Sequence, residues 1–249
     1  MPLNVGIVGL PNVGKSTIFS ALTSVPAEAA NYPFCTIDPN VGIVPVPDER
    51  LQRLTEIIPT EKVIPTVVEF VDIAGLVRGA SKGEGRGNQF LAHIRETGII
   101  AHVVRCFDDD DVTHVDGSID PIRDIETIDI ELALADLETV IRREERLEKE
   151  LKSHDKKIAA SAKALQPVLA ALTAHLQDGR PARSLELTAD QWTMIYDLHL
   201  LTAKPVLYVC NVNELGMDGS SPYEALLRDH AAREGAEVVR ICGQLEAEI

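Results

Sequence analysis

Short apolar runs recur along the chain, and helical patterns separate most of them. Six runs are rich in β-branched residues and have the length of buried strands: Val5 to Val8, Val41 to Val46, Val67 to Asp72, Ile99 to Phe107, Pro205 to Cys210 and Glu237 to Ile241. Runs that alternate with helical stretches are typical of an α/β protein with a mostly parallel sheet and helices on both faces. Ligands of such sheets bind at the carboxyl ends of the strands, so the residues after each run are candidates for a site.

Residues 125–202 break this alternation, because they contain no convincing strand pattern. Apolar residues recur there at helical spacings of four and three: Ile130, Leu134, Leu137 and Ile141. A second helix is predicted over Ala159 to Leu176, and Thr188 with Gln191 has the spacing of a capping box that would begin a third helix, ending before Pro205.

The length of 249 residues fits one large α/β domain or one domain with an insertion. We predict a nucleotide-binding domain made of residues 1–124 and 203–249, with residues 125–202 inserted as a helical hairpin. The hairpin is either a projecting arm for a partner or a simple packing appendage.

Charge and composition restrict the possible partners. The net charge of −15 argues against a broad attraction to nucleic acid, and we expect no sequence-specific DNA partner. Basic residues cluster from Arg142 to Lys157, but acidic residues interleave them, which favours a solvated helix with i,i+4 pairs over a basic binding face. The chain has no apolar run of membrane-spanning length, and its four cysteines lie far apart with no C-x-x-C spacing, so we expect a cytoplasmic protein with reduced thiols and no membrane partner.

The first apolar run is followed at once by GLPNVGKS, residues Gly9 to Ser16, which meets the full pattern G-x-x-x-x-G-K-[ST]. Glycines in such a loop allow successive backbone N–H groups to point at one anion. Lys15 adds a positive charge that can reach the β- and γ-phosphates of a nucleotide, and the Ser16 hydroxyl is a hard oxygen ligand suited to Mg²⁺. Because a helical pattern follows, the strand, the loop and the helix N-terminus together predict a phosphate site.

A second motif, Asp72-Ile73-Ala74-Gly75, follows the third apolar run. An aspartate at a strand end can hold Mg²⁺ through water, and the N–H of Gly75 can approach a γ-phosphate with no side chain in the way. Between the two motifs, Thr36 offers a second hydroxyl for Mg²⁺ from a loop that would order only when the γ-phosphate is present, as in a nucleotide-dependent switch. The alternative is an ordinary turn threonine beside prolines.

The residue after the glycine of the second motif is Leu76, where hydrolytic switches usually carry a glutamine. Leucine cannot orient a water molecule, so either intrinsic hydrolysis is slow or another group positions the water. His114 is the candidate, because an imidazole can accept a proton near neutral pH. The alternative is a solvated loop histidine.

The base-reading element is predicted after the run PVLYVC, at Asn211-Val212-Asn213-Glu214. Guanine-specific relatives place N-K-x-D here, and this chain has valine for the lysine and glutamate for the aspartate. The extra methylene of Glu214 displaces a bidentate acceptor by more than about 1 Å, which weakens selectivity for guanine. Adenine N6 and N7 suit the amide of Asn211, so ATP is favoured over GTP. The last strand is followed by Cys242-Gly243-Gln244, where a second base-contacting loop is expected.

Four segments in this order, GLPNVGKST, NYPFCTIDPN, DIAGLVRGASKGEGRGNQFL and NVNE, resemble the YchF subfamily of the Obg-related P-loop NTPases. The resemblance covers essentially the whole chain, including the helical insertion. It implies a Ras-like fold, a preference for ATP over GTP, and a leucine in place of the glutamine, as at Leu76. It also implies association with ribosomes and a further C-terminal TGS domain, which the chain does not reach before Ile249.

The resemblance also implies particular site residues. Nucleotide contacts are implied for six consecutive residues: Asn12, Val13, Gly14, Lys15, Ser16 and Thr17. It implies a base contact through the backbone of Val212, Mg²⁺ at Ser16 and Thr36, and a catalytic histidine that His114 would match.

Together these patterns predict an ATP-hydrolysing switch with slow turnover. We expect Lys15 to neutralise phosphate charge, Gly75 to sense the γ-phosphate, His114 to orient water, and Asp72 to support Mg²⁺. A potassium ion at Asn12 is a second candidate cofactor, because some related NTPases use this loop position for one. We expect a monomer. The two alternatives are an Obg-type GTPase and a nucleotide-gated binding module with incidental hydrolysis.

Overall fold

One six-stranded sheet organises the protein, and the computed structural model describes residues 3–23, 41–58, 60, 62–73, 86–109 and 118–248. The strands are β1 (Leu3–Val8), β2 (Val41–Pro45), β3 (Val67–Asp72), β4 (Ile99–Arg105), β5 (Val206–Asn211) and β6 (Glu237–Ile241). Their order is β2-β3-β1-β4-β5-β6, and all neighbours are parallel except β2 with β3. All six predicted strands and the mostly parallel sheet are therefore confirmed.

Eight α-helices surround the sheet or extend from it within the described part of the chain. They are α1 (Lys15–Thr23), α2 (Glu49–Ile57), α3 (Arg86–Glu96), α4 (Pro121–Leu151), α5 (Lys156–Gln177), α6 (Ala189–Ile195), α7 (Pro222–Glu234) and α8 (Gly243–Glu248). None of these helices combines the length and the apolar character needed to cross a bilayer.

Both faces of the central strands are buried, because successive residues of these strands enter different apolar clusters. In β4, Val103 packs in a cluster with residues of α1, α3 and α4, and Val104 packs in a second cluster with residues of α7. In β5, Val209 belongs to the first cluster and Tyr208 to the second. Burial on both faces explains why these strands have continuous apolar sequences instead of an alternating pattern.

The helical arm consists of the second half of α4 together with α5, and it grows directly out of the sheet domain. Asp120 caps α4 by accepting hydrogen bonds from the backbone N–H groups of Ile122 and Arg123. Ile128 and Leu132 in the first half of the helix pack in the sheet cluster, whereas later residues pack against α5. The predicted limit at residue 125 therefore falls inside one continuous helix and not between two elements.

Three of the four apolar residues of the α4 seam do not face the interior, although the helix that the seam predicts is present, and only Leu137 packs against the core of the arm. Ile130, Leu134 and Ile141 are 46%, 40% and 41% exposed. The buried face instead includes two carboxylates. Asp136 accepts from the N–H groups of Leu201 and Thr202, both at 2.8 Å, and Asp129 forms an ion pair with Arg183. Polar residues are buried here because they hold the chain that returns from the arm, and the periodicity of apolar residues alone could not reveal this.

The capping box predicted at the start of the third helix is confirmed. Thr188 Oγ accepts from the N–H of Gln191, and the Gln191 side chain accepts from the N–H of Thr188. The helix is shorter than predicted, because α6 ends at Ile195 and a 3₁₀ turn follows. His199 then adopts the left-handed conformation with φ of +46°, which a helix cannot continue through.

Candidate functional site

The phosphate loop connects β1 to α1, and two glycines allow its tight path. Gly14 has φ of +93°, and a Cβ at this position would overlap the Asn211 amide nitrogen. A Cβ on Gly9 would lie 2.5 Å from the carbonyl oxygen of Val103. Asn12 is also left-handed, with φ of +63°, a conformation that asparagine tolerates better than most residues. The loop is therefore a place of close backbone approach, as an anion-binding loop requires.

Lys15 is the first residue of α1, and its side chain turns back into the loop. Only 7% of the residue is exposed, and Nζ donates to the carbonyl oxygen of Leu10 at 2.7 Å. Burial lowers the pKa of Lys15 to about 8, although the carboxylate of Asp72 works in the opposite direction. At neutral pH the loop thus holds a partly desolvated positive charge, which a phosphate group would stabilise.

Ser16 and Asp72 form the part of the site that suits a cation. Ser16 Oγ, at the start of α1, donates to Asp72 Oδ2, at the end of β3, over 3.1 Å. Asp72 Oδ1 is buried and has no hydrogen-bond partner among the described residues. An unpaired buried carboxylate oxygen beside a hydroxyl is the donor set that Mg²⁺ prefers, and P-loop folds generally use this ion. The two residues therefore fit the predicted metal site.

Asn211 braces the site from the end of β5. Its Nδ2 donates to the carbonyl oxygen of Val13 at 2.9 Å, and its Oδ1 accepts from the N–H of Gly243 at 3.0 Å. The residue is 4% exposed. The amide thus ties the phosphate loop to the loop after β6, a role that the sequence did not predict. One donor and one acceptor position of the amide are left over, and its contact with adenine stays a prediction.

These elements enclose a cleft of about 480 Å³ at the carboxyl ends of the strands. Seven predicted residues line it: Asn12, Gly14, Lys15, Ser16, Thr17, Asn211 and Val212. The loop expected to contact the base, Cys242 to Gln244, also lines it. The structure therefore brings the phosphate loop and the base-reading motif together in one cavity, as the strand-end rule predicts.

Other predicted residues lie outside the cleft lining. Val13 is buried and contributes its carbonyl group to Asn211. Glu214 is exposed, begins a 3₁₀ turn and is absent from the described lining of the cleft, and its base contact stays a prediction. The remaining predicted residues lie outside the described residues: Thr36, Gly75, Leu76 and His114.

Sequence reasoning missed the loop after β4, which forms another wall of the cleft. Phe107, Asp108 and Asp109 line the cavity there. Arg105, 1% exposed, shapes this loop by donating to the carbonyl oxygens of Phe107 at 3.1 Å and Asp109 at 3.0 Å. Its guanidinium also lies 4.8 Å from the centre of the Phe107 ring. The sequence signal that could have identified this wall was Arg105, a charged residue inside an apolar run.

The segment after the base-reading motif is held by hydrogen bonds from two directions. The Asn213 side chain accepts from the N–H of Gly216 at 3.0 Å and so caps the 3₁₀ turn. From β6, Arg240 donates to the carbonyl oxygen of Met217 at 2.5 Å and to Glu224 at 2.7 Å. These hydrogen bonds therefore hold the segment after the base-reading motif in one position.

Comparison with known proteins gives consistent results along the whole chain. Residues 4–172 match the family described as "50S ribosome-binding GTPase". The protein named "Ribosome-binding ATPase YchF" from Bacillus subtilis (strain 168) is 55% identical over 100% of this chain and 68% of the relative. The protein with the same name from Escherichia coli O157:H7 is 52% identical over 100% of this chain and 67% of the relative.

A solved structure gives the same result for the fold. The YchF GTPase of Schizosaccharomyces pombe superposes with a TM-score of 0.84 and 37% identity, covering 99% of this chain and 67% of that one. The aligned residues therefore include those of the phosphate loop and of the helical arm. From its sequence, its sheet and its phosphate loop, the chain belongs to the YchF family of P-loop NTPases.

Proposed function

We propose that this protein is a monomeric switch that binds ATP with Mg²⁺, hydrolyses it slowly and attaches to ribosomes according to its nucleotide state. The observation that carries the proposal is the match of the whole chain to relatives named ribosome-binding ATPases. The geometry of the cleft supports it, because Lys15, Ser16 and Asn211 line one cavity and Ser16 is hydrogen-bonded to Asp72.

The residues act by positioning and by electrostatics, since phosphoryl transfer needs little covalent chemistry from the protein. Lys15 and the N–H groups of the loop would neutralise charge on the β- and γ-phosphates. Ser16 and Thr36 would hold Mg²⁺, with Asp72 behind them, and the ion would supply further positive charge when bound. Gly75 would sense the γ-phosphate and His114 would orient water. Leu76 offers no polar group, so turnover is slow.

Adenine is the favoured base because the groups that read guanine are missing from the cleft wall. Val212 stands where guanine-specific proteins have a lysine, and the exposed Glu214 is outside the described lining. The leftover donor and acceptor of the Asn211 amide suit adenine N7 and N6. The name of the yeast structure includes GTPase, whereas the bacterial relatives are named ATPases, so GTP is the alternative base.

The choice of base is tested by calorimetry with Mg²⁺ and non-hydrolysable analogues of ATP and GTP. We expect the ATP analogue to bind at least tenfold more tightly, which corresponds to about 1.4 kcal/mol. The double variant Val212→Lys, Glu214→Asp restores N-K-x-D and should shift the preference toward GTP. Tighter GTP binding by the unchanged protein would overturn the ATP proposal.

Two variants test the alternative function, in which the protein is a binding module and its hydrolysis is incidental. Lys15→Ala should lose both nucleotide and ribosome binding, because it removes the charge that holds the phosphates. His114→Ala should lose hydrolysis but still cosediment with ribosomes in the presence of ATP. If His114→Ala hydrolyses ATP at the normal rate, the water-orienting role is wrong.

A potassium ion at Asn12 stays a prediction. Hydrolysis rates in matched potassium and sodium buffers test it, with Mg²⁺ held constant. Faster turnover in potassium that disappears in Asn12→Ala would support the ion, and equal rates in both buffers would exclude it.

A further inference from the structure

Four lysines form a basic group at the end of the arm. They are Lys152, which follows α4, and three exposed residues of α5: Lys156, Lys157 and Lys163. We call these four the lysine face. In the part of the chain that the structure describes, none of them forms an ion pair.

Two arginines of α4 are paired, whereas the exposed Arg146 and Lys149 of the same helix, like the lysine face, form no ion pair with the described residues. Arg142 pairs with Glu138 at 3.0 Å across one helical turn, and Arg143 pairs with Glu150 at 2.9 Å. These pairs agree with the solvated, charge-paired helix expected from the interleaved sequence. The same interpretation does not extend to the lysine face, because none of its four ammonium groups lies within ion-pair distance of a carboxylate among the described residues.

The charge of the lysine face contrasts with that of the whole protein. The 22 residues of α5 contain no aspartate or glutamate, in a chain of net charge −15. Asp155 is the one acidic residue of the turn before α5, and it caps the helix by accepting from the N–H groups of Lys157 and Ile158. The end of the arm is thus a local region of positive charge on an acidic molecule.

The shape of the surface around these lysines indicates the kind of partner. Lys156 and Lys163 are two helical turns apart and lie on the same side of α5. Small exposed residues separate and follow them on the helix: Ala160, Ala164, Ala170 and Ala171. Ile158 is the one large apolar residue of α5 that is exposed, at 46%.

A membrane-binding helix needs a broad apolar face, and a protein interface needs aromatic or arginine anchors. Lysines on a smooth helix instead suit a phosphate backbone.

We propose that the lysine face binds the phosphate backbone of ribosomal RNA and is the ribosome-contacting surface of the protein. The inference rests on the proposed ribosome association and adds the place and the chemistry of the contact. The contact lies on the arm and is separate from the nucleotide cleft, so its loss should leave nucleotide binding and basal hydrolysis unchanged.

The test compares two triple variants that remove the same charge. The first is Lys156→Gln, Lys157→Gln, Lys163→Gln. The control, Arg53→Gln, Lys62→Gln, Arg233→Gln, removes three exposed charges from α2, the segment after it and α7. All substitutions are on the surface, and thermal unfolding should confirm that both variants fold. Binding to purified bacterial ribosomes and to protein-free ribosomal RNA is measured between 50 and 200 mM salt.

We expect the lysine variant to bind ribosomes and RNA roughly tenfold more weakly at moderate salt, with a salt slope reduced by roughly 2, because about three phosphate contacts are lost. The control variant should bind like the unchanged protein, and all three should hydrolyse ATP at the same basal rate.

Three results would overturn the inference, and each has a different meaning. If the unchanged protein and both variants bind ribosomes equally, the lysine face is not the contact, although ribosome association stands. If the lysine variant is weaker on ribosomes but the protein-free RNA does not bind, the partner is an acidic ribosomal protein. If the unchanged protein does not bind ribosomes, the proposed ribosome function fails and the inference fails with it.

Discussion

The nucleotide cleft and the helical arm are held together in different ways. At the cleft, single atoms decide the structure, because Gly14 has no space for a Cβ and one amide of Asn211 joins two loops. In the arm, α4 and α5 share a core of aliphatic side chains such as Leu169 and Leu172. The cleft therefore depends on residue identity, whereas the arm depends on apolar volume on the correct face.

The largest expected effect comes from breaking the arm. Leu172 is fully buried between α4 and α5, so Leu172→Ala should lower the free energy of unfolding by about 2–5 kcal/mol. The folded protein should still bind the ATP analogue normally, because no cleft residue is touched. Chemical denaturation and calorimetry measure the two quantities.

The matched control is Leu134→Ala, on the 40% exposed side of α4. Much less apolar surface is lost there, so the free energy of unfolding should change by less than about 1 kcal/mol. An equal loss in both variants would mean that the apolar seam of α4 is buried against a partner in solution.

A single methyl group should damage the cleft. Gly14→Ala places a Cβ against the Asn211 amide at a φ of +93°, which should cost about 1–3 kcal/mol of stability and abolish nucleotide binding. Gly235→Ala is the control, because Gly235 also has a positive φ, +66°, but no atom lies within 4 Å of the added Cβ. It should lose stability through strain alone and keep its affinity, as measured by thermal unfolding and calorimetry. Equal nucleotide binding by both variants would contradict the described loop.

The smallest expected effect is a pH dependence of binding. The folded-state pKa of Lys15 is about 8, below the ordinary 10.5, because burial disfavours its charged form. Below pH 8 the lysine is charged and affinity for the ATP analogue should be constant. Above pH 8 the free protein loses this proton, which binding must restore, so affinity should fall about tenfold by pH 9.

Lys15→Ala provides the comparison for this measurement. It should bind weakly at every pH and show no additional fall above pH 8, because it has no proton to lose. A fall of the same size in both proteins would assign the pH dependence to another group.

The sequence predicted the strands and the cleft more completely than it predicted the arm. All six strands follow from apolar runs, and the runs are most continuous in β4 and β5, which are buried on both faces. The phosphate loop follows from residue identities at fixed spacing. The brace at Asn211 and the wall at Phe107 were not predictable in this way, because they depend on hydrogen bonds between elements distant in sequence.

The arm was predictable as helices but not as a packed structure. The spacing of Ile130 and Leu134 identifies a helix correctly, yet buried Asp129 and Asp136 occupy its inner face. Their burial is stabilised by Arg183 and by the N–H groups of Leu201 and Thr202. Those partners are more than fifty residues away along the chain, and nothing in the local pattern of α4 identifies them.

The continuity of α4 has a mechanical consequence. Its 31 residues span about 45 Å as one rod. One end is packed in the sheet core through Ile128 and Leu132, and the other reaches Lys152 and the turn that leads to the lysines of α5. Because α4 is fixed at one end and continuous, a tilt of a few degrees at the sheet moves the far end of the helix by a few ångströms.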